Sequence, residues 1–443
     1  MLLLPSAVQD ILLRLKQKGY EGYAVGGCVR DMLRGDAVHD YDITTNATPY
    51  EMKTVFCDLH VIDTGIQHGT VTVVYQDITY EITTYRVESG YSDSRHPDRV
   101  EFSRSLSDDL CRRDFTINAM ALSEEGEVVD LYDGKGDLAR RVIRCVGDPK
   151  ERFSEDALRI LRALRFASVL DFTIDEATEA AAFLLADRLK AISVERVATE
   201  LNKLLCGKGV FRILTRYIDI LSVVIPELLP MKGFDQKNYH HCHDVLTHTA
   251  KVVEMIPPIK HLRLAALFHD IGKPSTFTLG DDGVGHFYTH PSVSRDMADQ
   301  ILLRLKYDNK TRETVVKLVK WHDHVIEPTE SAVKKMLSKT TKELFFNLIL
   351  LKRADNLGQN PDYHTRQSTY DEIVALASDI LARQECLSLK TLSVKGGDLI
   401  ALGIPIGKRI GVILERLLSE VLNGNLPNEK EELILFVKNN LME

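Results

Sequence analysis

The sequence predicts an α+β protein, with short strands gathered near the N-terminus and helices almost everywhere after them. Two observations carry this. From residue 20 to about 120 the pattern is one of short β-type runs: YEGYAVGG, HDYDIT, DLHVID, GTVTVVYQD and ITYEITTYR. Beyond about residue 150, apolar residues recur at helical spacing, as in FSEDALRILRALRFASVL and VERVATELNKLL. No internal repeat runs through the chain.

Taken in order, residues 1–19 read as an amphipathic helix with an early proline. They lack the basic start and small-residue cleavage site of a secretory signal. GTVTVVYQDITYEITTY reads as a hairpin turning at Gln76-Asp77. The polar stretch RVESGYSDSRHPDRVEFSRS reads as a long mobile loop. Pro226, Pro230 and Gly233 mark a break before a His-rich helical region, 239–365. The segment 387–443 reads as helical, punctuated by glycines.

Composition narrows the class. The 443 residues are 44% hydrophobic and 27% charged, which suits several globular domains. No apolar run approaches the roughly 20 residues of a membrane helix, so no membrane partner is expected. The seven cysteines (28, 57, 111, 145, 206, 242, 386) show no CxxC spacing, which points to a reduced, cytoplasmic protein without structural zinc. The net charge of −8 argues against indiscriminate nucleic-acid binding but allows a local basic groove.

The first candidate site is YAVGGCVRDMLRGDAVHDYDI, Tyr23 to Ile43. Asp40 and Asp42 on one strand would point the same way, because side chains alternate. Two such carboxylates suit a hard cation such as Mg²⁺. Gly26 and Gly27 let the backbone approach a phosphate at the mouth of a following helix, and Arg30 adds positive charge. This combination suits nucleotidyl or phosphoryl transfer. In CRRDFTINAMAL, Asp114 reads as a cap, with Arg112 and Arg113 just before it. In RFSEDALRILRALRFA, Asp156 and Arg159 stand three apart, on one side of a predicted helix, where they could present hydrogen-bonding edges to a base. Arg159, Arg162 and Arg165 form a basic stripe that could meet phosphates, or a solvated salt-bridge face with Glu155. Glu81 reads as an exposed strand glutamate or a third acid; Asp130, Gly134 and Asp137 read as a hinge or a capped loop.

GGCVRD, DYDITTNATP, RRDFTINAMAL, DLYDGKGDL and EDALRILRALRFA occur in this order. That succession resembles the bacterial class II tRNA nucleotidyltransferases, the CCA-adding enzymes and their poly(A) polymerase relatives, over roughly residues 20–210. The resemblance implies a nucleotidyltransferase head with a five-stranded mixed sheet, then helical neck, body and tail. It implies Mg²⁺ on Asp40 and Asp42, with phosphate contacts near Gly26, Gly27 and Arg30. Ribose and triphosphate contacts fall in the Arg112–Asn118 segment, which includes Arg113, Asp114 and Asn118. Asp156 and Arg159 become the template that selects CTP and then ATP for addition to tRNA. The stretch 86–105 is absent from CC-adding relatives, and the GRRF-like stretch of poly(A) polymerases is missing, so complete CCA addition is expected. A-adding alone stands as the alternative, with poly(A) polymerase behind it.

The second candidate site lies downstream. HCHDVLTHTAKVV supplies His248, FHDIGKP supplies His269 and Asp270, and RADN supplies Asp355. These could converge on one divalent cation. His286, His290, His322 and His324 lie between. The pattern resembles the HD phosphohydrolase superfamily over roughly 240–360, which implies metal-assisted hydrolysis of a phosphoester. The expected organisation is a catalytic head at 1–145, a nucleotide-selecting neck at 146–225, an HD domain at 226–365 and a tRNA-binding tail at 366–443. A rival from another class is an HD phosphohydrolase whose head only binds RNA.

Overall fold

The computed structural model describes residues 2–66, 69–89 and 99–441. The chain divides into two compact units, Met1–Leu229 and Pro230–Glu443.

The first unit opens with α1 (Ser6–Gln17), which buries Ala7, Val8, Ile11, Leu12 and Leu15. The five expected strands form as β1 (Gly22–Val25), β2 (Asp42–Thr45), β3 (His60–Gly65), β4 (Thr70–Tyr75) and β5 (Ile78–Thr84). Helices α2 (Gly27–Arg34) and α3 (Pro49–Val55) lie between the early strands. The β4–β5 hairpin turns at Gln76 and Asp77, both at positive φ, as a primed two-residue turn requires.

The expected sheet of five strands is in fact one of seven. Past a ribbon of β6 (Arg86–Ser89) and β7 (Arg99–Phe102), the two further strands of the sheet are β8 (Met120–Leu122) and β9 (Val128–Asp130). The sheet order is β3-β4-β5-β2-β1-β8-β9. Only β2 and β5 pair in parallel, which makes the sheet mixed. Both added strands have three residues, and Met120, Ala121 and Leu122 are all buried, so no period-2 alternation betrays them. The stretch read as one mobile loop, 86–105, instead pairs its ends as the β6/β7 ribbon. RVES and RVEF have the alternation and β-branched residues of strands. Residues 90–98 of that loop lie outside the described residues.

After the sheet come α4 (Leu106–Cys111, before β8), α5 (Gly134–Arg140), α6 (Pro149–Glu155), α7 (Leu158–Leu170), α8 (Glu176–Leu185), α9 (Val194–Leu205), α10 (Val210–Arg216) and α11 (Ile218–Leu221). The expected continuous helix through EDALRILRALRFA is broken. Asp156 is extended (φ −139°, ψ 103°), and its carboxylate accepts from the Leu158 amide at 3.0 Å. An aspartate that binds the backbone two residues on starts a new helix rather than extending the old one. Asp130 does the same for α5, accepting from Gly134 N and Lys135 N. Asp137 is buried, accepting from Thr116 Oγ1 and both Arg140 and Arg144. These residues are capped and cross-braced.

The second unit is mainly helical: α12 (Val245–Met255), α13 (Lys260–Phe268), α14 (Lys273–Thr276), α15 (His290–Arg304), α16 (Asn309–Trp321), α17 (Glu330–Lys339), α18 (Lys342–Gly358), α19 (Gln367–Ala382), α20 (Gly396–Ala401), α21 (Lys408–Leu422) and α22 (Lys430–Asn440). The last three enclose their own core around Leu399, Ile413, Leu417, Leu433 and Val437. The seven cysteines are free, and no helix among the described residues is long and apolar enough to cross a membrane.

Candidate functional site

Register sets the first site. Ile43 pairs with Ala24 on one side and Ile82 on the other, and all three are buried in the core. Asp42, one residue earlier, therefore belongs to the opposite face, beside Val25 and Glu81. Asp42 is the first residue of β2; Asp40 precedes the strand instead of lying on it. Burial pushes the Asp42 carboxyl up, Arg113 draws it down and the nearby charge of Asp40 raises it again. Two carboxylates that disfavour each other's charge suit a cation that neutralises both. Glu81 shares the face with Asp42, but the described residues show no close three-ligand convergence here.

Gly26 ends β1 with φ 78° and ψ −128°, a conformation that belongs to glycine. A Cβ here would meet Arg113 Nη1 at 3.0 Å and lie 4.0 Å from Asp42 Oδ2. Gly27 opens α2, whose N-terminal amides favour an anion. Arg30 is not a free phosphate ligand. It is nearly buried, donates to Asn118 Oδ1 (2.8 Å) and to both oxygens of Asp31, and lies over Phe166. Asn118 in turn donates to Asp114 Oδ1 at 3.1 Å. This chain ties α2 to the segment before β8 and α7.

A second group of predicted residues lines one open pocket of about 260 Å³: Arg112, Arg113, Asp114, Asp156, Arg159 and Arg162, with Arg196 and Leu158. Each polar member is held. Asp109, fully buried, accepts from Arg112 Nε and Nη2 and from Arg113 Nη2. Asp114 Oδ2 accepts from Arg162 Nε (2.8 Å) and Nη2 (2.5 Å). Burial pushes the Asp114 carboxyl up, but Arg162 and Asn118 more than offset it and hold it down at about 2. Asp156 and Arg159 do not share a helix face: Arg159 belongs to α7, whereas Asp156 precedes it. Arg159 instead donates to Glu155, to Arg152 O and to Arg112 O. Arg165 does not line this pocket. Its Nε sits 2.6 Å from Glu200 Oε2, and its guanidinium lies 3.8 Å from the Phe166 ring centre.

Sequence reading missed Arg196 and Asp109. Arg196 and Glu200 stand four apart on α9, one binding Asp156 and the other Arg165, so the spacing of VERVATEL was the available signal. Asp109 gave none, since a buried aspartate beside two arginines reads the same as a surface one.

In the second unit the four predicted ligands do come together. His248 Nε2 lies 3.1 Å from Asp355 Oδ1 and 3.4 Å from Asp270 Oδ2; His269 Nε2 lies 3.2 Å from Asp270 Oδ2. Of the four other histidines, His290 and His322 join the cluster, whereas His286 and His324 do not. Each clustered histidine places Nδ1 on a backbone carbonyl: His248 on Gly358, His269 on Ala266, His290 on Phe287 and His322 on Val319. A carbonyl can only accept, so Nδ1 carries a proton in each, and Nε2 is the ring atom turned toward the carboxylates. Asp270 is buried, and its Oδ2 has no hydrogen-bond donor aligned on it, although Lys273 Nζ is 2.7 Å away. A pocket of about 240 Å³ reaches His322 and Asp355 and is also lined by Lys352, Arg366 and Tyr370. Burial draws the Lys352 ammonium down to about 8.

Comparison with known proteins decides the family. Residues 22–144 match the Poly A polymerase head domain, 171–231 the probable RNA and SrmB-binding site of polymerase A, and 285–437 a putative tRNA nucleotidyltransferase domain 2. A CCA-adding enzyme of Levilactobacillus brevis is 37% identical over 436 residues, covering 97% of this chain and 96% of that one. The chain belongs to the CCA-adding enzyme family. A CCA-adding enzyme of Limosilactobacillus reuteri is 56% identical over 201 residues, covering 45% of this chain and 49% of its own. The crystal structure of the Bacillus stearothermophilus CCA-adding enzyme in complex with CTP superposes with a TM-score of 0.73 at 29% identity, covering 98% of this chain and 97% of that one.

Proposed function

We propose that the protein adds C, C and A to the 3′ end of tRNA, using CTP and ATP and releasing pyrophosphate. The observation that carries this is the whole-length likeness to CCA-adding enzymes, together with a pocket of arginines and carboxylates reached from the Asp42 face through Arg113. Asp40 and Asp42 would hold Mg²⁺, which would supply a more acidic 3′-hydroxyl and a more electrophilic α-phosphorus. Gly26 keeps its place free of a side chain, so the triphosphate can approach the α2 amides. Arg112 and Arg113, braced on Asp109, meet the triphosphate and ribose. Arg30 and Asn118 act from behind, fixing Asp114 and hence Arg162. Asp156 and Arg159 present fixed acceptors and donors to the base, and a wrong edge leaves them unpaired. The test is a tRNA lacking CCA with labelled CTP, ATP or both. Two C from CTP alone and one terminal A with both nucleotides is the expected result. A addition only after an existing CC makes it an A-adding enzyme, and a long A tract makes it a poly(A) polymerase. No incorporation overturns the transferase reading and leaves the RNA-binding head.

For the buried cluster of the second unit we propose a divalent metal on His248, His269, Asp270 and Asp355, serving a phosphohydrolase that acts on phosphate ends. The Nε2 atoms turned toward the carboxylates and the pocket reaching Asp355 support it. Arg366 and Lys352 give that pocket the positive charge a phosphate requires. Hydrolysis of 2′,3′-cyclic AMP or p-nitrophenyl phosphate with added Mn²⁺, lost in Asp270→Asn but kept in Asp42→Asn, is the expected pattern. Equal rates in wild type and Asp270→Asn would remove the proposal.

A further inference from the structure

We infer that Phe166 is a positioning residue for nucleotide transfer: one aromatic ring seats three guanidiniums, and through them ties the α2 end of the nucleotide site to its Asp114–Arg162 end. This rests on the reading of that site as a nucleotidyltransferase, and adds to it a residue that touches neither nucleotide nor metal.

Phe166 lies on α7 and is buried. It does not line the pocket of arginines and carboxylates. Yet the guanidinium carbons of Arg165, Arg30 and Arg162 lie 3.8, 5.3 and 5.5 Å from its ring centre. All three are within reach of a cation–π attraction. Like charges gathered on one apolar side chain repel unless each is compensated. Here each guanidinium has a carboxylate of its own. Arg30 donates to both oxygens of Asp31, Arg162 to Asp114 Oδ2, and Arg165 lies against Glu200. Glu200 also approaches Arg162 Nη1, at 3.9 Å. Burial draws the Arg165 guanidinium down, Glu200 opposes this, and Arg162 and Arg30 push it down again. Arg165 therefore feels the other two cations, and the Phe166 ring is the group that all three share.

The ring itself is held by Phe115, which is fully buried and meets it edge-on at 5.7 Å and 78°. Phe115 follows Asp114, and its amide donates to Asp114 Oδ1 at 2.8 Å. Phe166 thus stands where the parts of the site cross. Arg30 belongs to α2, which opens at the glycine turn of Gly26 and Gly27. Phe115 belongs to the Arg112–Asn118 segment. Glu200 belongs to α9, one turn beyond the Arg196 that binds Asp156. A leucine at 166 would fill much of the volume but offer no negative face. The guanidiniums would then gain by turning toward water, and for Arg162 the open side is the nucleotide pocket.

The test uses the full chain with Phe166 replaced in turn by mono-, di- and trifluorinated phenylalanine. Each fluorine withdraws electron density from the ring face and barely changes its size, so the cation–π attraction falls in steps while the packing stays. The Kd for CTP is measured by calorimetry with Mg²⁺, beside the melting temperature. A Kd that rises stepwise, by about 5- to 10-fold from phenylalanine to the trifluorinated ring, at constant melting temperature is the expected result. Phe166→Leu should weaken CTP at least as much. A Kd that stays flat across the series overturns the proposal even where Phe166→Leu binds poorly, because packing alone then accounts for the leucine variant. A Kd that rises only in step with a falling melting temperature overturns it in the same way. A parent that binds no CTP overturns the transferase reading and this proposal together, whereas a parent that binds CTP and a flat series remove the proposal alone.

Discussion

Asp156 is clamped by Arg196 of α9, with Nη2 donating to Oδ2 at 2.6 Å, while Arg159, three residues along, turns to Glu155. The acceptor and the donor proposed to select the base are therefore positioned independently, each by a partner outside the pair. Arg196→Ala should free Asp156 to move and cost about 10- to 100-fold in kcat/KM for CTP and ATP on CC- and CCA-lacking tRNA, with UTP misincorporation rising. Arg196→Lys should recover only part, since a point charge does not reproduce the guanidinium fork. An unchanged ratio of CTP to UTP use in Arg196→Ala would falsify this role.

Asp42→Asn should abolish nucleotide addition, by about 10³-fold or more, while leaving the fold intact. The side chain starts β2 on the face away from the core, so its loss leaves Ile43 and its neighbours packed. Circular dichroism and the melting temperature should match the parent. A variant that keeps full incorporation rates would exclude Asp42 from catalysis.

Gly26→Ala should do both kinds of harm. The backbone at φ 78°, ψ −128° costs an alanine about 1–3 kcal/mol. The added methyl also presses on Arg113 Nη1 at 3.0 Å, which displaces the guanidinium shared with Asp109. Lower urea stability together with a raised KM for both nucleotides is expected. A stability equal to wild type would show that the turn relaxes.

Asp114 makes the first unit sensitive to acid. Its folded carboxyl titrates at about 2, below the ordinary 3.8, so the stabilisation is complete above about pH 4 and is lost as pH falls toward 2. The size is about 2 kcal/mol. In urea unfolding, wild type should exceed Asp114→Asn by more at pH 6 than at pH 3. A gap that stays constant between those two pH values would mean that Arg162 does not hold the charge.

Much of this was legible in the sequence. The five longer strands, the turn at Gln76-Asp77 and the four predicted ligands of the second cluster carry local signals: alternation, a primed-turn pair, and histidine beside aspartate on apolar helices. What was not legible depends on partners far away in the chain. Strands β8 and β9 are too short for alternation to appear. The break at Asp156 hides inside a helical pattern because Phe153, Ala157 and Leu161 keep helical spacing across it. Arg30 and Arg165 look like free cations until Asp31 and Asn118, or Glu200, are brought beside them. His290 and His322 were visible as residues, yet only the packing of their helices brings their Nε2 atoms beside Asp270 Oδ1.

The interior position of β1 in the sheet has a consequence for biosynthesis. Its neighbours are β2 and β8, and the pairing of Ala24 with Leu122 joins one of the earliest strands to one of the latest in the sheet. The Gly26 amide likewise waits for Met120 O. A ribosome-bound chain that has not yet released Leu122 therefore carries the glycine turn and Asp42 on a sheet with an open edge, exposed to pairing with other nascent chains. Closure of the sheet around the glycine turn should thus come abruptly during synthesis, once Met120–Leu122 has emerged, rather than growing with each strand.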